Sequence, residues 1–133
     1  YHQKLFFFVQ QLNSLYLENP SLWEKDYHHE GFSWMDLDDR DNSIISFARF
    51  GNDPENHLVC ALNFTPQTFE SYTIGLPSQR QYQQILCSDE AQYGGSNKSN
   101  PETITPVNKP YAKAGFQATI TIPPLAGIIL KPL

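Results

Sequence analysis

The sequence predicts a mainly β protein, an antiparallel β-sandwich preceded by one N-terminal helix. Three observations lead there. Short apolar segments recur between residues 43 and 130 with Gly, Pro and Asn clusters between them, the sequence form of strands joined by turns. Aromatic residues make up 14% of the 133 residues and Pro (10) exceeds Gly (7), a mix that favours short strands over long helices. Only one stretch, near the start, repeats its apolar residues at helical spacing.

That stretch runs from about His2 to Leu17. Leu5, Phe8, Val9, Leu12, Leu15 and Tyr16 fall on one i, i+3, i+4 stripe, and Gln3, Gln10, Gln11, Asn13 and Ser14 fill much of the remainder. Phe7 stands among the polar positions, where a solitary surface helix would not carry a large aromatic, and no capping residue precedes the helix. Both features suggest a helix packed on two sides. Asn19-Pro20 ends it, and Pro20–Lys25 is read as a short further turn. Strands are expected at Ser43–Phe50, Leu58–Phe64, Ser71–Leu76, Gln81–Cys87, Gly115–Ile122 and Gly127–Leu130. In Leu58–Phe64 both alternating faces are apolar, which implies burial on both sides. Ser88–Pro101 is longer than an ordinary connection, and loops of that length are often functional or interface-forming.

Composition removes several classes of function. The net charge is -5 and the few Lys and Arg are scattered, so no basic stripe exists to follow a nucleic-acid backbone. No apolar run approaches the roughly 20 residues of a membrane helix, and no nucleic-acid or membrane partner is expected. Cys60 and Cys87 lie in apolar runs; two buried free thiols in a reducing cytoplasm are the reading preferred to a single disulfide.

The chain offers no active site of its own. Asp36, Asp38, Asp39 and Asp41 lack the glycine and distal Glu of a calcium loop, and with Asn42 they read as a solvated turn with local side-chain bonds. Adjacent His28 and His29 point to opposite faces and have no second ligand cluster. No Gly-x-Ser-x-Gly elbow or phosphate loop occurs, and Gly94-Gly95-Ser96 is a turn. Neither a metal nor a cofactor is expected, and no residue is assigned a catalytic role. Among the aromatics that could stack on sugar rings, Tyr72, Tyr93, Tyr111, Trp23 and Trp34, the glucan-binding candidates are Tyr93 and Trp34. Tyr93 serves equally as an interface anchor, and Trp34, two residues from Phe32, suits a core or a domain interface better than a sugar.

Read together, several segments resemble the C-terminal region of glycogen branching enzymes of the α-amylase superfamily. They are Leu12–Tyr16 with Pro20-Ser21-Leu22; Gly31–Asp36 with Asn42-Ser43 and Phe47-x-Arg49; Asn63–Pro66 with Tyr72–Pro77; Ser88–Ser96; and Pro123–Pro132. The resemblance implies an α-amylase C-terminal-domain sandwich spanning 27–133. Residues 1–26 are then the last helix and exit of a preceding (β/α)8 barrel. It implies a parent enzyme that cleaves an α-1,4 link and transfers the freed segment to a 6-hydroxyl through a covalent intermediate on an Asp, with a Glu as acid/base. The barrel motifs that carry these groups are absent from the sequence, so this fragment is expected to be inactive alone and to stabilise its partner, the barrel. Leu5, Phe7, Phe8, Leu12 and Tyr93 are the expected interface residues, and α-glucan is a possible further partner. A glucan-binding module, or the equivalent domain of a debranching or trehalose-forming hydrolase, are the alternatives; Tyr93-Gly94-Gly95-Ser96 favours the branching family.

Overall fold

The computed structural model describes residues 2–101 and 103–133; the first position of the expected segment 1–26 therefore lies outside them. Helix α1 spans His2–Glu18 and is followed by strands β1 (Phe32–Asp36), β2 (Ile44–Arg49), β3 (Leu58–Asn63), β4 (Phe69–Leu76), β5 (Tyr82–Cys87), β6 (Phe116–Ile122) and β7 (Gly127–Pro132). A five-stranded sheet has the order β1-β2-β3-β7-β5, and β4 pairs with β6 in a second sheet; every pairing is antiparallel.

The two sheets bury one core between them. From the larger sheet come Met35, Ile44, Ala48, Val59, Ala61, Tyr82, Cys87, Ile128 and Leu130; from the smaller come Tyr72, Ile74, Leu76, Ala118, Ile120 and Ile122. The strands contribute alternate residues, as the pleat requires, except β5, where a register slip between Gln84 and Leu86 brings Tyr82 and Cys87 to the same face. The large sheet is apolar on its outer face as well. Leu58 and Leu86 meet Leu15 of α1 there, with Phe8, Leu12, Ile85, Tyr93 and Ile129 packed around them. The doubly apolar pattern of β3 thus has a physical cause: Val59 and Ala61 face the sandwich, and Leu58 faces the helix.

Side-chain amides join the layers where strands stop. Asn63 ends β3: its Nδ2 donates to the carbonyls of Gln67 and Pro123, both at 2.8 Å, and its Oδ1 accepts from the Thr65 amide at 2.9 Å. This bend leaves Phe64, expected to continue the strand, exposed outside it. Asn100 links the sheets. Its Nδ2 donates to Gln84 Oε1 and to the Thr121 carbonyl, both at 2.9 Å, and its Oδ1 accepts from the Thr121 amide at 2.7 Å.

The segment after α1 is fastened rather than loose. Asn19 Nδ2 donates to the Leu15 carbonyl at 2.8 Å, closing the helix end. Arg49 of β2 donates through Nη2 to the Leu22 carbonyl at 3.0 Å and pairs with Asp26. Gly31 lies so close to Lys25 that a Cβ would sit 2.3 Å from its carbonyl oxygen.

Candidate docking surface

The outer face of the large sheet gathers most of the residues singled out in the sequence. α1 lies over the β7–β5 half, but the expected apolar stripe divides. Phe8, Leu12 and Leu15 face the sheet, whereas Leu5, Val9 and Tyr16 are exposed. With Phe6 (65% exposed) and Leu17 (73%) they form an exposed apolar arc that begins beside Leu12, at the edge of the sheet-facing stripe. Helical period alone assigns residues to a stripe; it does not say how much of the stripe a neighbour will cover.

The loop after β5 holds one flank of α1. Tyr93 is half-buried, its ring 5.0 Å from Phe8 in an edge contact and 5.6 Å from Phe7. Burial pushes its hydroxyl pKa up, with the Glu90 charge adding to the shift. Phe7, anomalous in the sequence, therefore has an aromatic partner inside this chain.

The loop's conformation follows from its residues. Gly94 adopts φ +91°, the left-handed region that glycine enters without a Cβ clash. A Cβ on Gly95 would fall 2.2 Å from the Asp89 carbonyl oxygen. The buried Asp89 carboxylate accepts from the Ser96 amide (3.1 Å), the Ser96 hydroxyl (2.7 Å) and the Lys98 amide (3.0 Å). Asp89 organises the loop from inside the Ser88–Ser96 motif, a role that no residue spacing signals in the sequence.

Beyond α1, on the β1–β2 half, Phe32, Trp34 and Phe47 form an exposed-to-half-buried aromatic cluster. Phe32 stacks on Phe47 at 5.1 Å, and Trp34 meets Phe32 edge-on at 4.9 Å. Trp34 is 38% exposed. An apolar groove of about 410 Å³ connects this cluster to the helix, lined by Phe8, Leu12, Phe47, Cys60, Leu62 and Ile129. Exposed helix arc, groove and aromatic cluster make one continuous apolar surface, larger in kind than the scattered single residues normal on a soluble protein.

The acidic stretch and the histidine pair are not gathered into a site of their own. Asp39 accepts from Tyr72 and from Asn42, and Asp36 Oδ1 accepts from the Asp38 amide at 3.0 Å, so the acidic stretch folds as a self-bonded turn. Burial works to raise the Asp39 pKa, but the bonds from Tyr72 and Asn42 outweigh it and hold the carboxyl below its ordinary range. Glu30 pairs with Lys25 at 3.1 Å, and neighbouring His28 and His29 are exposed. Among the described residues no group of three or more His, Cys, Asp or Glu is placed to hold a metal. Cys60 and Cys87 are buried free thiols; burial pushes their pKa values up to about 12 and about 11.

The family described as "Alpha amylase, C-terminal all-beta domain" matches residues 34–132. The chain belongs to this family. Its α-amylase C-terminal domain is similar to part of several proteins named 1,4-alpha-glucan branching enzyme GlgB. The one from Halothermothrix orenii is 39% identical over 132 residues, 99% of this chain and 21% of the relative. The one from Nitrosomonas eutropha is 43% identical over 129 residues, 97% of this chain and 18% of the relative. The chain spans about a fifth of the length of these curated relatives. Among solved structures, an α-amylase from H. orenii aligns with a TM-score of 0.45 at 17% identity, covering 90% of this chain and 18% of that one.

Proposed function

We propose that this α-amylase C-terminal domain is the accessory domain of a 1,4-α-glucan branching enzyme. It has no catalytic residues of its own and stabilises the (β/α)8 barrel of its parent. The parent would cleave α-1,4 links and transfer the freed segments to 6-hydroxyls, making α-1,6 branches. The observation that carries the docking role is the continuous apolar surface from the exposed arc of α1, through the groove, to Phe32, Trp34 and Phe47. Exposing such a surface is costly, at roughly 25 cal/mol per Å² of apolar area, so a partner body is expected to cover it.

In this reading the interface residues have two tasks. Phe8, Leu12 and Tyr93 seat the helix on the sheet, while Leu5, with Phe6 and Val9, faces the barrel; Phe7 sits between the two, against Tyr93. The boundary between barrel and sandwich falls near 26/27, at the Asp26 that Arg49 holds. The two unbridged thiols favour a cytoplasmic parent, and no helix among the described residues is long and apolar enough to cross a membrane.

The test is Leu5→Asp made twice, in this chain and in the full-length protein that carries it. Leu5 is exposed here, so the isolated domain should melt unchanged. The full-length enzyme should melt several degrees lower and lose amylose-branching activity on mild heating. An unaffected full-length enzyme would refute the docking role, and branching of amylose by the 133-residue chain alone would refute the accessory reading.

A further inference from the structure

A second concave feature lies away from the apolar surface, between β5 and the returning limb of the Ser88–Pro101 loop. It is an open cleft of about 250 Å³ lined by Gln83, Gln84, Glu90, Asn97, Ser99 and Asn100, with Pro101 at its rim. Its lining is amide and hydroxyl, with one carboxylate and no cationic side chain. The nearest lysine in sequence, Lys98, pairs with Glu70 at 3.9 Å. An anion has no counter-charge here, a metal has one carboxylate at most, and an apolar ligand has only Pro101. Neutral polyhydroxyl groups remain, because amides offer a donor and an acceptor from one side chain.

The cleft is also built. The β5–β7 pairing slips between Gln84 and Leu86, an irregularity that re-aims side chains and recurs beside binding sites. Asn100 fixes the floor, holding Gln84 Oε1 at 2.9 Å while anchored to both ends of the Thr121 peptide. Asn97 is held at φ +67° with its Oδ1 accepting from the Ala91 amide at 3.2 Å. These bonds leave the Gln84 Nε2 and Asn97 Nδ2 donors, the Gln83 amide and the Ser99 hydroxyl without a protein partner among the described residues. A site whose floor is already fixed loses less entropy on binding.

We propose that this cleft binds a short stretch of neutral α-glucan. It holds part of a chain laid along the loop, since it is smaller than the roughly 300–1,000 Å³ of an enclosing ligand pocket. That the sugar is an α-1,4-glucan rests on the branching-enzyme reading; the polyhydroxyl character rests on the cleft.

The experiment is titration of the isotope-labelled 133-residue chain with maltoheptaose, and with cellohexaose in parallel, followed by nuclear magnetic resonance. Saturable shifts of the Gln83, Gln84, Asn97, Ser99 and Asn100 amides by maltoheptaose are expected. Gln83→Ala and Ser99→Ala, both at exposed positions that should leave the fold intact by circular dichroism, should each weaken Kd about two- to tenfold, the worth of one neutral hydrogen bond. Absence of saturable shifts in the cleft, whether maltoheptaose binds elsewhere, for instance at Trp34, or nowhere, overturns the proposal. Binding of cellohexaose but not maltoheptaose overturns the α-glucan class. A full-length enzyme that needs the exposed arc of α1 while this cleft stays silent would lose the sugar site and keep the docking role.

Discussion

The hydroxyl of Tyr82 donates to Nε2 of His57 at 2.6 Å, with both rings almost wholly out of solvent. Nδ1 of the same imidazole donates to the Pro54 carbonyl at 2.8 Å, so the neutral ring uses both nitrogens. This pair ties the turn before β3 to the start of β5. The sequence gives little warning of it, because a single His beside Leu58 has no motif around it.

Burial lowers the His57 pKa from its ordinary 6.5, although the Pro54 carbonyl and the Glu55 charge act the other way. The unfolded chain therefore takes up this proton more readily than the folded one. The contribution to stability should be complete above pH 6.5 and lost progressively as the pH falls below that value towards the folded pKa. His57→Gln keeps a donor and an acceptor without titrating. Denaturant melts from pH 8 to pH 4.5 should show a shallower pH slope for this variant than for the native chain. Equal slopes would mean that another group carries the dependence.

Leu15, 9% exposed, is the one buried residue of α1. Leu15→Ala should cost about 2–5 kcal/mol, the range for a buried leucine that leaves a cavity, whereas Leu17→Ala on the exposed arc should change stability by less than about 0.5 kcal/mol. Urea denaturation of both variants checks this. Similar losses from the two would mean that α1 does not lie on the sheet as described.

Asp89→Ala removes the acceptor for two amides and one hydroxyl. A loss of about 2 kcal/mol or more is expected, because bonds to a charged group are worth about 1.5–3 kcal/mol each and the solvated loop recovers only part. Hydrogen exchange should accelerate at Ser96 and Lys98 and stay unchanged in β2 and β3. Gly95→Ala should disturb the same loop through the Cβ that would meet the Asp89 carbonyl.

Both thiols should resist alkylation in the native state at pH 8. Buried and raised to about 12 and about 11, Cys60 and Cys87 present almost no thiolate. Mass spectrometry after iodoacetamide treatment should find the native chain unmodified and the denatured chain carrying two adducts. Rapid native labelling of Cys60 would reveal that the apolar groove opens.

Much of this was readable from residue order, and the exceptions have physical reasons. Leu58–Phe64 announces burial on both sides because both of its alternating faces are apolar; Val59 and Ala61 are covered by the sandwich and Leu58 by the helix, while Cys60 and Leu62 line the groove and Phe64 is exposed. Strand ends were harder. β4 begins at Phe69 rather than Ser71, since pairing with Ile122 extends it past a register slip that alternation cannot foresee. β7 continues to Pro132, which pairs with Tyr82 of β5 after the β3 partner has ended at Leu130. On α1 the period identifies the helix but not how much of its stripe the sheet covers, so Leu5, Val9 and Tyr16 stay exposed beside Leu12 and Leu15, which meet the sheet. Tyr93 reads in the sequence as a sugar-stacking or interface aromatic; its seat against Phe7 and Phe8 depends on Asp89, Gly94 and Gly95 folding the loop back, a long-range outcome.

β3 lies under two cores at once, the sandwich on one side and the helix on the other. An ordinary surface strand has an outward row where substitutions pass with little consequence; here that row is capped by the helix at Leu58 and lines the apolar groove at Cys60 and Leu62. Random change at Leu58, Val59 or Ala61 must satisfy one packed interior or the other, so this part of the strand should be the slowest in the molecule to diversify.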